Sequence, residues 1–174
     1  MKLSMKLALA LPALALCATP SFAATGTAKI VATSTMSHVS GTIKLTDTET
    51  GLNLKGDLMG LMPGDHGFHV HEKGDCSDMG KAAGSHYNPL NHPHGDVMKD
   101  ATKAHAGDMG NIKADTDGKA SVNVTIPGLK LTGAAGEVTA EGRAIVVHEK
   151  ADDFSQPAGN AGGRIGCGKI VVDK

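Results

Sequence analysis

His69-Val70-His71 is a His-x-His pair in sequence that reads as a strand. On an extended chain, residues i and i+2 point to one face, so both imidazoles can reach one ion. His86, His94, His105 and Asp108 follow downstream, and His148 ends the apolar run Ile145-Val146-Val147. Any one histidine of this kind is ordinarily a surface or packed residue; the joint pattern carries the weight. Six imidazoles with one carboxylate suit borderline metals such as zinc and copper. Calcium and magnesium, which take all-oxygen shells, fit poorly.

The elements that must position these side chains are nearly all of period two. Ala120–Ile126 alternates apolar and polar residues and stops at Pro127-Gly128. Ala28–Thr33, Thr42–Thr46 and Leu52–Leu58 behave alike, the last with Gly56 on its apolar side as a candidate bulge. Further strands are expected at Gly67–His71, Ala144–His148 and Lys169–Val172. Turn clusters stand at Asp47–Gly51, Pro63-Gly64-Asp65 and Asp115–Gly118. Short strands at regular spacing predict an all-β antiparallel sandwich or barrel. Two stretches break the rhythm, Glu72–Gly110 and Glu149–Gly163. The first, with His71 at its edge, holds five of the nine histidines. A structureless loop of that length needs pinning, and metal ligation with a disulfide would supply it.

The chain has 174 residues, 23 of them Gly, with a formal net charge of −1 and no Trp. Near-neutral charge and scarce aromatics give no basis for a nucleic-acid partner. Lys2 and Lys6, the apolar Leu7–Ala18 and the small residues around Ala23 have the three-part layout of a secretory signal. The apolar run is well short of the ~20 residues that span a bilayer. Residues 1–23 are therefore expected to be a cleaved leader and 24–174 a single domain in the periplasm; acylation at Cys17 is the variant reading. Cleavage leaves 15 basic against 18 acidic residues and two cysteines, Cys76 and Cys167. An even pair in an exported chain predicts a disulfide.

Gly67-Phe68-His69-Val70-His71-Glu72, His86-Tyr87-Asn88-Pro89, His105-Ala106-Gly107-Asp108, Val147-His148-Glu149-Lys150-Ala151-Asp152-Asp153 and Gly163-Arg164-Ile165-Gly166-Cys167-Gly168 closely resemble the copper,zinc superoxide dismutases, in the family's order. The resemblance covers essentially the whole chain after Ala23. It implies a Greek-key β-barrel or sandwich of about eight strands with two long functional loops. It also implies an enzyme that converts superoxide to dioxygen and hydrogen peroxide by cycling Cu(II)/Cu(I), protecting the cell envelope. By the same resemblance, copper would be held by His69, His71, His86 and His148, and zinc by His86, His94, His105 and Asp108. His86 would bridge the two ions and serve as a proton donor. Asp152 would link a copper histidine to a zinc histidine, and Arg164 would attract and orient superoxide. The family pattern selects His94 for zinc, with His92 as its rival.

Two features depart from the family's eukaryotic pattern. The stretch from Glu149 to Gly163 is short and lacks the Glu/Lys guidance cluster, and Cys76 follows His71 by only five residues, as in bacterial exported members. Bacterial-type members include monomers and dimers, so a homodimer is one expectation for assembly. The rival from another class is an exported copper/zinc carrier or chaperone-like domain without catalysis. The remaining candidates read blandly: His66 as structural, His38 as exposed, Asp115–Gly118 as a turn rather than a calcium loop, Met59 and Met62 as core fillers rather than Cu(I) ligands.

Overall fold

A computed structural model describes residues 23–174. The leader-like segment up to residue 22, including Cys17, lies outside the described residues. Eight strands are formed among the described residues: β1 (Thr25–Ala32), β2 (Ser40–Asp47), β3 (Gly51–Met59), β4 (Gly64–His71), β5 (Asp108–Ala114), β6 (Ala120–Pro127), β7 (Ala144–His148) and β8 (Arg164–Val172). Their spatial order is β5-β4-β7-β8-β1-β2-β3-β6, with every pairing antiparallel. β3 pairs with β6 rather than with β4, so the chain crosses one end of the barrel in Greek-key fashion. The edge strands β5 and β6 lie against each other and nearly close the barrel. The all-β expectation holds.

Alternation explains the core. Ile43 and Leu45 on β2, Leu52, Leu54 and Leu58 on β3, and Val122 and Ile126 on β6 point inward and are buried. Each contributes about 1.5–3 kcal/mol of burial. β4 and β7 are different, being buried on both faces. Phe68, Val70, Ile145 and Val147 enter the barrel core. The opposite faces carry His69, His71 and His148, and they are covered by the loops 72–107 and 149–163. Gly107 O accepts from Val70 N–H, and Lys150 O accepts from Gly67 N–H, so main-chain bonds fasten both loops to β4.

Several expectations need correction. The long loop ends earlier than predicted, because Asp108–Ala114 is strand β5. β8 begins at Arg164, five residues before the predicted Lys169. Pro63-Gly64-Asp65 is not wholly turn, since β4 starts at Gly64. Gly56 sits in unbroken β2–β3 register opposite Ile43, and a side chain there would strike Thr42 O. Close approach of two backbones, not a bulge, calls for glycine. Met59 and Met62 are 57% and 75% exposed, so they are not core fillers. The Asp115–Gly118 turn is confirmed by Asp115 Oδ1 accepting from the N–H groups of Asp117 and Lys119.

Candidate metal centre

The backbone ladder brings the site together before any side chain is considered. His69 on β4 faces Asp108 on β5, with a register shift between Gly67 and His69. His71 faces His86 in an isolated bridge. His148 on β7 faces Arg164 on β8, with a second register shift at Val147/His148. Irregularities of this kind re-aim side chains, and here both fall beside a histidine of the site.

Two groups of potential ligands result: His69, His71, His86 and His148, and His86, His94, His105 and Asp108. In each group the nearest donor atoms lie within 4.8 Å of one another, and His86 belongs to both. All are buried except His105, which is half-buried. His92 enters neither group; its Nδ1 faces Ala104 O at 3.2 Å. The structure therefore brings His94, not His92, into the cluster.

Outer hydrogen bonds set which nitrogen of each ring is bare. His69 donates from Nε2 to Asp152 Oδ2 at 2.8 Å, and His71 from Nδ1 to Gly84 O at 2.9 Å. His148 Nδ1 faces Gly162 O at 3.5 Å. His94 donates from Nε2 to Asp152 Oδ1 at 3.0 Å, so Asp152 ties one ring of each group. His86 Nδ1 faces Asp108 Oδ1 at 2.8 Å, which leaves Nε2 for the all-histidine group. Asp108 also receives the N–H groups of Gly95 and His105. His66 stays structural, its two ring nitrogens at 2.8 Å from the carbonyls of His148 and Met62.

The donor set fits cations. Among the described residues, His69 Nδ1 and His94 Nδ1 are the buried side-chain nitrogens without a hydrogen-bond partner. His94 Nδ1 approaches Asp108 Oδ2 to 2.8 Å without the alignment of a hydrogen bond. His71 Nε2 and His148 Nε2 meet at 3.3 Å. With their other nitrogens turned to carbonyls, both present lone pairs, and a cation satisfies what a proton cannot share.

Charge separates the two groups. Burial pushes His69 down to about 4, His71 to about 2 and His148 to about 3, with neighbouring histidines adding to the shift. These rings are held neutral, the form that binds metal. Burial also opposes charge on His94, but the carboxylates of Asp108 and Asp152 on either side of the ring overcome it and raise that ring to about 9. Burial opposes charge on both carboxyls, yet contacts from the histidines hold Asp108 and Asp152 well below the usual carboxylate range.

Arg164 borders a cavity of about 670 Å³ that His86 and His148 also line. Its Nη1 donates to Gly80 O and its Nη2 to Gly84 O, both at 2.6 Å. The expected Cys76–Cys167 disulfide is formed, and the segment it anchors supplies those carbonyls. Sequence reasoning missed three contributors: Gly84 through its carbonyl, Asn111 and Gln156. Asn111 binds both the N–H and the C=O of Asp152, and Gln156 does the same for His94. Carboxamides carry no spacing signature, so no pattern would have found them.

Residues 39–170 match the family model for copper/zinc superoxide dismutase. The chain belongs to that family. It is an oxidoreductase of the superoxide-dismutating kind, with copper and zinc as its metals. Among its relatives is an "Extracellular superoxide dismutase (Cu-Zn)" of Brugia pahangi, 37% identical over 158 residues, 85% of this chain and 77% of that protein. A protein of the same name in Caenorhabditis elegans is 39% identical over 137 residues, 75% of this chain and 60% of that protein. This chain thus spans three fifths of the second relative's length.

Proposed function

We propose that the chain dismutates superoxide with His69, His71, His86 and His148 holding copper and His86, His94, His105 and Asp108 holding zinc. The single observation that carries this assignment is the membership of His86 in both donor groups. Copper, when bound, supplies the one-electron acceptor and donor that the two half-reactions require. The chain's own residues do the rest. Arg164, fixed by three main-chain carbonyls, sets a positive charge at the cavity where a small anion enters. His86, held through Nδ1 on the Asp108 side, takes up a proton at Nε2 and passes it to the reduced substrate. Asp152 keeps His69 and His94 in register by accepting from both rings.

The acting form in this proposal is the single domain 24–174, exported to the periplasm after removal of residues 1–23. The leader-like sequence supports export, as do relatives named extracellular.

Elemental analysis of the loaded protein should give about one copper and one zinc per chain, with cyanide-sensitive consumption of superoxide. Arg164→Ala should lower the rate about tenfold and flatten its dependence on salt while copper is retained. Loss of copper from that variant would show the residue to be structural. Full metal loading without superoxide consumption would leave the carrier reading standing.

A further inference from the structure

His94 is gripped differently from every other histidine of the site. Its ring edge is bound by Asp152, and its ring face lies against Phe154, centroids 6.5 Å apart and planes at 19°. Its backbone N–H donates to Gln156 Oε1 at 3.0 Å, and its backbone C=O accepts from Gln156 Nε2 at 2.8 Å. One five-residue segment, Asp152 to Gln156, makes all of these contacts across a sequence separation of up to 62. The segment is itself folded tightly: Gly159 N–H donates to Ser155 O, and Asp153 N–H donates to Gly159 O. Gly159, at φ +71°, packs so close to Asp152 Oδ1 and His94 Nε2 that a side chain would collide with both.

Phe154 and Asp152 act on the ring, and neither can set where the main chain of His94 lies. Without Gln156 the main chain of His94 would be held from one side, by Gly95 N–H on Asp108 Oδ2, and the ring could keep its hydrogen bond to Asp152 while Nδ1 swung away from Asp108. A carboxamide that pairs with both the N–H and the C=O of one residue fixes its position and its orientation, as a rung of β-ladder would. Gln156 is itself exposed and adds nothing to the apolar core, so its removal leaves the barrel's packing intact.

We infer that Gln156 is a positioning residue for the zinc centre, clamping the His94 backbone so that Nδ1 is presented beside Asp108. The inference rests on the assignment of His94 as a zinc ligand. It makes the short 149–163 loop the holder of a ligand that belongs to the other loop.

The test measures zinc affinity of the full-length, disulfide-bonded protein by chelator competition, together with the visible absorption of Co(II) placed in the zinc site. Gln156→Ala should weaken zinc about 10–100-fold and alter the Co(II) bands, with metal-free stability and the copper spectrum unchanged. Gln156→Glu keeps the acceptor for His94 N–H and loses the donor to His94 O, so it should fall between the parent and Gln156→Ala. Zinc affinity within about twofold of the parent in both variants would overturn the inference. So would a loss of metal-free stability with zinc affinity unmoved, the mark of a merely structural role. His94→Ala separates the two levels. If it abolishes tight zinc binding while Gln156→Ala does not, the ligand assignment survives and the clamp fails. If zinc is held undiminished without His94, the assignment itself fails.

Discussion

The two donor groups share one imidazole but are built in opposite ways. The all-histidine group takes three members from strands, His69 and His71 on β4 and His148 on β7, and those three rings are neutral by burial. The histidine–aspartate group takes His94 and His105 from the long loop and Asp108 from the first position of β5. There the carboxylate is the organiser, facing three rings and accepting from two main-chain N–H groups. One half borrows its geometry from the barrel. The other assembles its own around a charge.

The largest expected effect comes from breaking the support of the first half. Gly84 O, within the segment anchored by Cys76–Cys167, receives both His71 Nδ1 and Arg164 Nη2. Reducing that disulfide reopens a loop of 91 residues and should cost about 4–5 kcal/mol by the chain-entropy model. Copper affinity should suffer more than zinc affinity. A melting temperature unchanged by reductant would remove the contrast. The second half should break at Asp108→Asn, which keeps shape and removes charge. Zinc affinity should fall by more than about 100-fold, beyond the range of an outer partner, while the copper spectrum persists.

The sharpest discriminator is the sign of pH dependence in the metal-free protein. His69, His71 and His148 have folded values below the ordinary 6.5. Their contribution is present above about pH 6.5 and is lost as pH falls towards 4 and below, because the unfolded chain binds more protons there. His94 runs the other way, its folded value raised to about 9. Its contribution is full below about pH 6.5 and is lost as pH rises through 9. Denaturant melts should therefore trace a dome with its summit near neutrality, and His94→Gln should remove the alkaline limb alone. A profile that only rises with pH would refute the difference in charge between the halves.

Much of the barrel was legible because one side of each strand faces hydrocarbon. Ala144–His148 was read to the residue, and Ala120–Ile126 to within one. β5 was missed for a reason that belongs to the site. Its opening residues Asp108, Met109 and Gly110 are all buried, the aspartate on the ligand side, so alternation is absent where the strand begins. Met59 and Met62 misled because thioethers pass as core material, although both lie at the exposed crossing between β3 and β4. At the centre, the members of both donor groups and their order were visible in the chain. Which nitrogen of each ring stays bare was not, since main-chain oxygens of Gly84 and Gly162 and the carboxylate of Asp152 decide it.

The rung joining His69 to Asp108 has a further meaning. Because those two positions are neighbours across a sheet, the interval between the two cation pockets is a dimension of the peptide backbone. Exchanging a donor that belongs to one pocket alone, whether by drift or by design, retunes that pocket's preference without moving the backbone that spaces it from the other. Selection could thus adjust the chemistry of each tenant separately while their spacing stayed as constant as the pleat.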